Sequence, residues 1–149
     1  MFTSPFPDVE IPAATVYDDL FESLSDEDAA RIALLDPATG AETTYGALKA
    51  QIDAFAGALA ARGAGPGTVL GLLCPNIPAF ATVFHGILRA GATVTTINSL
   101  STAGEIGKQL KDAGASWLLR AREAAGAPAE TPSDPEMPPR AGAFPRWWT

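Results

Sequence analysis

The sequence predicts an α/β fold: a partial doubly wound parallel sheet of β-α-β-α-β order, with a small N-terminal hairpin and a disordered C-terminal tail. Three observations carry this prediction. The stretch Thr68–Asn98 reads as strand, helix, strand. Segments of helical and strand character alternate in order from residue 44 to residue 119. Glycines stand where two of the helices should stop, at Gly91 and Gly114. A strand–helix–strand unit of this length makes its two strands parallel and its crossover right-handed.

Taken in order, residues 1–14 hold Pro5, Pro7 and Pro12 and are expected to form an extended arm. Val16, Tyr17, Leu20, Phe21 and Leu24 then fall at helical spacing, with Thr15 placed to cap the helix and Asp18, Asp19 and Glu22 on its other face. Ser25–Asp28 reads as a turn. Arg31–Leu35 and Glu42–Thr44 flank turn residues Asp36 to Gly40, which predicts a small antiparallel hairpin. Thr44 caps a helix over 45–62, with Leu48, Ile52, Phe55, Ala56 and Leu59 inward and Lys49, Gln51 and Asp53 expected to face away.

Gly63, Gly65 and Gly67 end that helix, and Thr68–Cys74 follows as a strand. Asn76 is expected to cap the next helix, over 77–90, with Pro78 in its first turn. That helix is apolar nearly all round, its polar residues Thr82, His85 and Arg89 forming one narrow stripe. Ala92–Ile97 is a β-branched strand. Thr102 and Glu105 match a capping box for a helix reaching about Ala113, although Gly104 and Gly107 each weaken it by about 1 kcal/mol relative to Ala. Ala115–Leu119 is the third parallel strand.

Composition limits the function. The chain has 149 residues and a net charge of −7, and residues 1–42 carry ten acids against the single base Arg31. An acidic N-terminal surface argues against nucleic acid as a partner, because phosphate contacts need clustered Lys and Arg. The lone Cys74 excludes an intrachain disulfide framework, and its place in an apolar strand suits a buried structural thiol. No apolar run reaches the length of a membrane span. The first ten residues lack the basic and apolar regions of a secretory signal, so a cytoplasmic location is expected. The glycines at 63–67 follow a helix and precede a strand, the reverse of a phosphate-cradling loop, so a plain turn is expected. His85, the one histidine, has no Ser or Cys nucleophile with an orienting acid at a readable spacing.

Several stretches together resemble the AMP-forming acyl-CoA synthetases, in particular the branch similar to 4-coumarate–CoA ligase. They are SPFPDVEIP at 4–12, TTYGALKAQIDAFAGALAARGAGPGTVLGLLCPNIPAF at 43–80, FHGILRAGATVTTIN at 84–98, and TAGEIGKQLKDAGASWLL at 102–119. The resemblance implies residues 15–119 as the N-terminal part of an AMP-binding domain, between the arm at 1–14 and the tail at 120–149. It also implies, for a complete member, activation of a carboxylic acid with ATP and Mg²⁺ to an acyl-adenylate, then transfer to CoA. The motifs that carry this chemistry in the family are not in this sequence: the Ser/Thr- and Gly-rich loop ending Pro-Lys-Gly, the acidic ribose motif, the adenine-contacting aromatic segment and the lobe with its catalytic lysine. No catalytic, cofactor-binding or metal-binding residue is therefore assigned. Ser99, Ser101 and Gly104 depart from the family's pattern and bear on the rigidity of the turn and helix after Asn98.

Residues 120–149 lose all periodicity and hold prolines at 128, 132, 135, 138, 139 and 145. Their Ala, Pro, Arg and Gly content suits an out-of-frame reading of a GC-rich gene, so the chain is expected to be a truncated fragment without activity. Exposed sheet is then expected to favour self-association or capture by a chaperone. The alternative is a small interaction module, or one half of a split ligase, anchored by Trp147 and Trp148. Reading the gene past the Leu119 codon in all three frames separates them. A resumed ligase sequence with the Pro-Lys-Gly loop is the expected result, and its absence from every frame favours the module.

Overall fold

The computed structural model describes residues 5–11 and 13–121. The predicted class is observed: a parallel three-stranded sheet with helices on both faces, and a separate antiparallel hairpin. In order the elements are α1 (Val16–Phe21), α2 (Asp26–Ala29), β1 (Ile32–Leu35), β2 (Glu42–Thr44), α3 (Tyr45–Ala60), β3 (Val69–Leu73), α4 (Pro78–Arg89), β4 (Thr93–Ile97), α5 (Ala103–Asp112) and β5 (Trp117–Arg120).

The strand order is β4-β3-β5, with β3 in the middle and parallel to both neighbours. Successive residues of β3 point to opposite faces. Leu70 and Leu72 are fully buried in a cluster with Phe55 and Leu59 of α3 and Val83 and Ile87 of α4. Gly71 points the other way, where a Cβ would run into Leu110 of α5 and also meet Ile97 and Leu118. The sheet thus carries α3 and α4 on one face and α5 on the other. This is what right-handed crossovers produce when β4 and β5 lie on opposite sides of β3.

Local chemistry explains most boundaries. Thr15 and Thr102 each close a full capping box, with Asp18 and Glu105 respectively. The Thr44 hydroxyl accepts from the Ala47 N–H at 3.2 Å and starts α3. The five inward residues predicted for α3 are all buried. Positive φ at Gly91 (77°) and Gly114 (63°) ends α4 and α5 in the left-handed conformation that glycine adopts freely.

Five expectations need correction. The expected turn at Ser25–Asp28 is a short helix, because the Ser25 hydroxyl accepts from the Asp28 N–H and three acids favour its first turn. α1 stops at Phe21, short of Leu24. Asn76 does not cap α4. The cap position is Ile77, with no side-chain bond, and Pro78 at the first helical position sets the entry through its fixed φ. Lys49, Gln51 and Asp53 do not simply face away: Asp53 bonds to α1 and α4, and Gln51 Oε1 accepts from the Thr82 hydroxyl at 3.0 Å. The last strand runs through Arg120, and the Ala121 N–H donates to the Leu73 carbonyl at 3.1 Å, so regular pairing passes the expected boundary at 119. The remainder of the expected tail, including Trp147 and Trp148, lies outside the described residues.

α3 and α4 approach closely at Gly86, where an added Cβ would lie 2.5 Å from Phe55 Cδ1. Gly86→Ala must displace a buried ring and is expected to lower stability by about 1–3 kcal/mol in urea unfolding. Gly57→Ala, on the open side of α3 with nothing near its Cβ, is expected to raise stability by about 0.5–1 kcal/mol in the same experiment.

Candidate functional site

In a doubly wound sheet, ligands bind beyond the carboxyl ends of the strands, where neighbouring strands send their helices to opposite faces. Here that point lies between β3, followed by α4, and β4, followed by α5. The loops that border it are Cys74–Ile77 and Asn98–Ser101, and neither carries a charged side chain. Cys74 is buried, its Sγ donates to the Pro75 carbonyl at 3.3 Å, and burial pushes its thiol pKa up. Asn98 Oδ1 accepts from the Leu100 N–H at 3.0 Å and folds its loop into an Asx turn that leaves Leu100 exposed. The crevice offers neutral donors and acceptors and one inert thiol.

Among the described residues, the densest group of charged and polar side chains lies elsewhere, where α1 crosses α3 and α4. The Asp53 carboxylate accepts from the Tyr17 hydroxyl at 2.6 Å, from Arg89 Nε at 3.2 Å and from Lys49 Nζ at 3.3 Å. The Arg89 guanidinium carbon sits 4.3 Å from the centroid of the Tyr17 ring, a cation–π distance. Partial burial acts to raise the Asp53 pKa, but the hydrogen bonds from Tyr17, Arg89 and Lys49 outweigh it and hold the carboxyl below its ordinary value. Burial, followed by the bond to Asp53, pushes Tyr17 up. An ionised acid engaged by three donors is no free base. The group is a latch that ties α1 to the helical layer.

His85 lies one turn before Arg89. The Phe21 and Phe84 rings meet its imidazole edge-on, with centroids 6.0 Å and 5.4 Å away. Its Nδ1 is buried and has no hydrogen-bond partner among the described residues, and burial lowers its pKa. Thr82 is buried and Arg89 exposed, so the predicted polar stripe runs from the core to the latch. Gly63 and Gly67, with φ of 86° and 83°, form a turn between α3 and β3. Ala14, Asp18, Asp19, Glu22 and Ser23 line a shallow open depression whose acids would repel an anionic ligand. Among the described residues, no group of three or more His, Cys, Asp or Glu is placed to hold a metal ion, and no helix is long and apolar enough to cross a membrane.

Sequence reasoning missed the latch. Lys49 and Asp53 were legible as an i,i+4 pair, but Tyr17 and Arg89 each lie 36 residues from Asp53, and no local pattern joins them.

Fold and site together define a doubly wound α/β scaffold whose ligand-side loops carry neutral chemistry. The sequence pattern of the AMP-binding enzyme family matches residues 21–141, and the chain belongs to that family. It is 38% identical over 120 residues to 4-coumarate–CoA ligase 5 of Oryza sativa subsp. japonica, an alignment that covers 80% of this chain and 22% of that protein. It is 35% identical over 119 residues to 4-coumarate–CoA ligase 3 of the same plant, with the same coverage. The chain thus spans 22% of the length of these relatives. Among solved structures it is similar to a benzoate CoA ligase from Burkholderia xenovorans, with a TM-score of 0.66, 27% identity, and coverage of 72% of this chain and 21% of that one. It is also similar to the N-terminal subdomain of Klebsiella oxytoca NpsA in complex with 3-hydroxybenzoyl-AMSN, with a TM-score of 0.66, 26% identity, and coverage of 76% and 28%.

Two measurements check this description. Tyr17→Phe deletes the hydroxyl that Asp53 accepts and is expected to cost about 1 kcal/mol in chemical unfolding, with a smaller effect when Asp53 is already Asn. Because the folded Asp53 pKa is lowered, its contribution is present above the unfolded value of about 3.9 and is lost as pH falls through the folded one. The Cys74 thiol should react with Ellman's reagent in the native chain only at the rate of opening. Immediate full reaction would contradict its burial.

Proposed function

We propose that this chain supplies the N-terminal portion of the adenylate-forming fold of an ATP-dependent acyl-CoA ligase, and that it turns over no substrate alone. In the complete ligase the carboxylate attacks ATP at the α-phosphorus, forming an acyl-adenylate and releasing pyrophosphate. The CoA thiol then displaces AMP and gives the acyl-CoA. The observation that carries this reading is the match to the AMP-binding enzyme family across residues 21–141, joined to relatives named as 4-coumarate–CoA ligases.

The donors in the described residues do not fit ATP or Mg²⁺. The glycine turn at 63–67 stands before a strand, the crevice between β3 and β4 has no cation to meet a phosphate, and no acidic group is arranged around a metal. No catalytic step is therefore assigned to these residues. What they contribute is shape: a rigid sheet and two helical layers on which a substrate-binding body would rest. An aryl or related carboxylate is the substrate class this kinship favours.

The test is a segment exchange. Residues 15–121 of this chain replace the aligned segment of the rice 4-coumarate–CoA ligase 5, and acyl-CoA formation from 4-coumarate is measured beside the isolated chain. The chimera is expected to retain ligase activity, and the isolated chain to give no ATP–pyrophosphate exchange. A folded but inactive chimera, or turnover by the isolated chain, would overturn the proposal.

A further inference from the structure

α1 is a single short helix packed against α3 and α4. Among the described residues, no backbone hydrogen bond joins it to another element; its backbone bonds are local, such as Asp19 N–H to the Thr15 carbonyl and Glu22 N–H to the Asp18 carbonyl. It is held by side chains alone. Tyr17 and Phe21 are buried against Leu48 and Ile52 of α3, with Ala81 of α4 beside them. The Tyr17 hydroxyl reaches Asp53, and the Phe21 ring meets His85 edge-on. Residues 13–15 before α1 and 22–25 after it lie outside regular helix and strand.

The seat of this strap contains the one histidine. Its Nδ1 is sealed from solvent without an acceptor, between two phenylalanine rings. A neutral imidazole can leave Nδ1 as an unpaired acceptor at modest cost, but an imidazolium must place an N–H there with nothing to receive it. The titratable and charged groups on the surrounding elements are Tyr17, Asp18, Asp19 and Glu22 on and beside α1, Tyr45, Lys49 and Asp53 on α3, and Arg89 on α4. None of them bonds Nδ1. Tyr17, Lys49 and Arg89 converge on Asp53 instead, so the nearest carboxylate of the helical layer is already engaged.

We propose that α1 is a proton-released strap: when His85 takes up a proton, α1 lifts from α3 and α4 and exposes the apolar groove formed by Leu48, Ile52 and Ala81. The direction follows from linkage. Burial lowers the pKa of His85 while α1 is docked, and with α1 lifted the imidazole returns toward an ordinary value of about 6.5. The released state therefore binds the extra proton. The docked state is fully favoured above that ordinary value and loses ground as pH falls below it, by up to about tenfold in the equilibrium constant per pH unit for one proton.

Asp53 does not confuse the reading, since its carboxyl is held below its ordinary value and stays ionised in the same window. The experiment is hydrogen exchange of the α1 amides in the full chain between about pH 7 and pH 5, corrected for intrinsic exchange, with the amides of β3 as an internal reference. The expected result is a selective loss of α1 protection of up to about tenfold per unit below pH 6.5, with β3 unchanged, and a pH-independent α1 in His85→Phe. The same acceleration in His85→Phe would overturn the proposal, as would parallel loss of protection in β3. Should that variant not fold, NMR titration of the native His85 ring decides instead: titration coincident with movement of the Phe21 ring supports the strap, and titration that leaves Phe21 in place refutes it.

Discussion

Everything in this chain depends on covering both faces of β3. A parallel strand at the centre of a sheet has no solvent side, and its residues must find apolar partners above and below. Leu70 and Leu72 find them in α3 and α4, and Gly71 yields room for Leu110 of α5. The two crossovers of opposite direction that place β4 and β5 beside β3 also place α4 and α5 on opposite faces. The ligand-side crevice between β3 and β4 is a consequence of that requirement, not a separate device.

The helical layer meets a second constraint. α4 is apolar nearly all round, yet its stripe of Thr82, His85 and Arg89 must go somewhere. Each finds a different answer: Thr82 donates to Gln51, Arg89 joins the Asp53 latch over the Tyr17 ring, and His85 is wedged between Phe21 and Phe84. Arg89 and His85 reach α1 through Tyr17 and Phe21, and Thr82 ties α4 to α3. The apolar side chains left exposed include Val9 and Ile11 of the arm, Val16 and Leu20 of α1, and Leu118 of β5.

The fold class was legible because its signals are local and repeated. Glycines at helix ends, β-branched runs and the Thr102–Glu105 box each act within a few residues, and each appears where it was read. Misplaced boundaries arose where two local signals compete. Asn76 looks like a cap, but Pro78 with Ile77 before it starts the helix without one. The latch was not legible, since Tyr17 and Asp53 meet only after α1 folds back across a hairpin and a helix. The kinship was legible from ordered stretches spread over the whole described region, whereas no local pattern points to a catalytic group in the described residues.

The claim that β3 and its two coverings organise the described residues is tested most directly by native-state hydrogen exchange of the whole chain, resolved by residue. The account predicts that the amides of Leu70 and Leu72 exchange slowest, only through global unfolding, while those of α5 and the β1–β2 hairpin exchange through smaller openings. If β3 exchanges as fast as the hairpin, the sheet is not the organising element, and the order of dependence set out here is wrong.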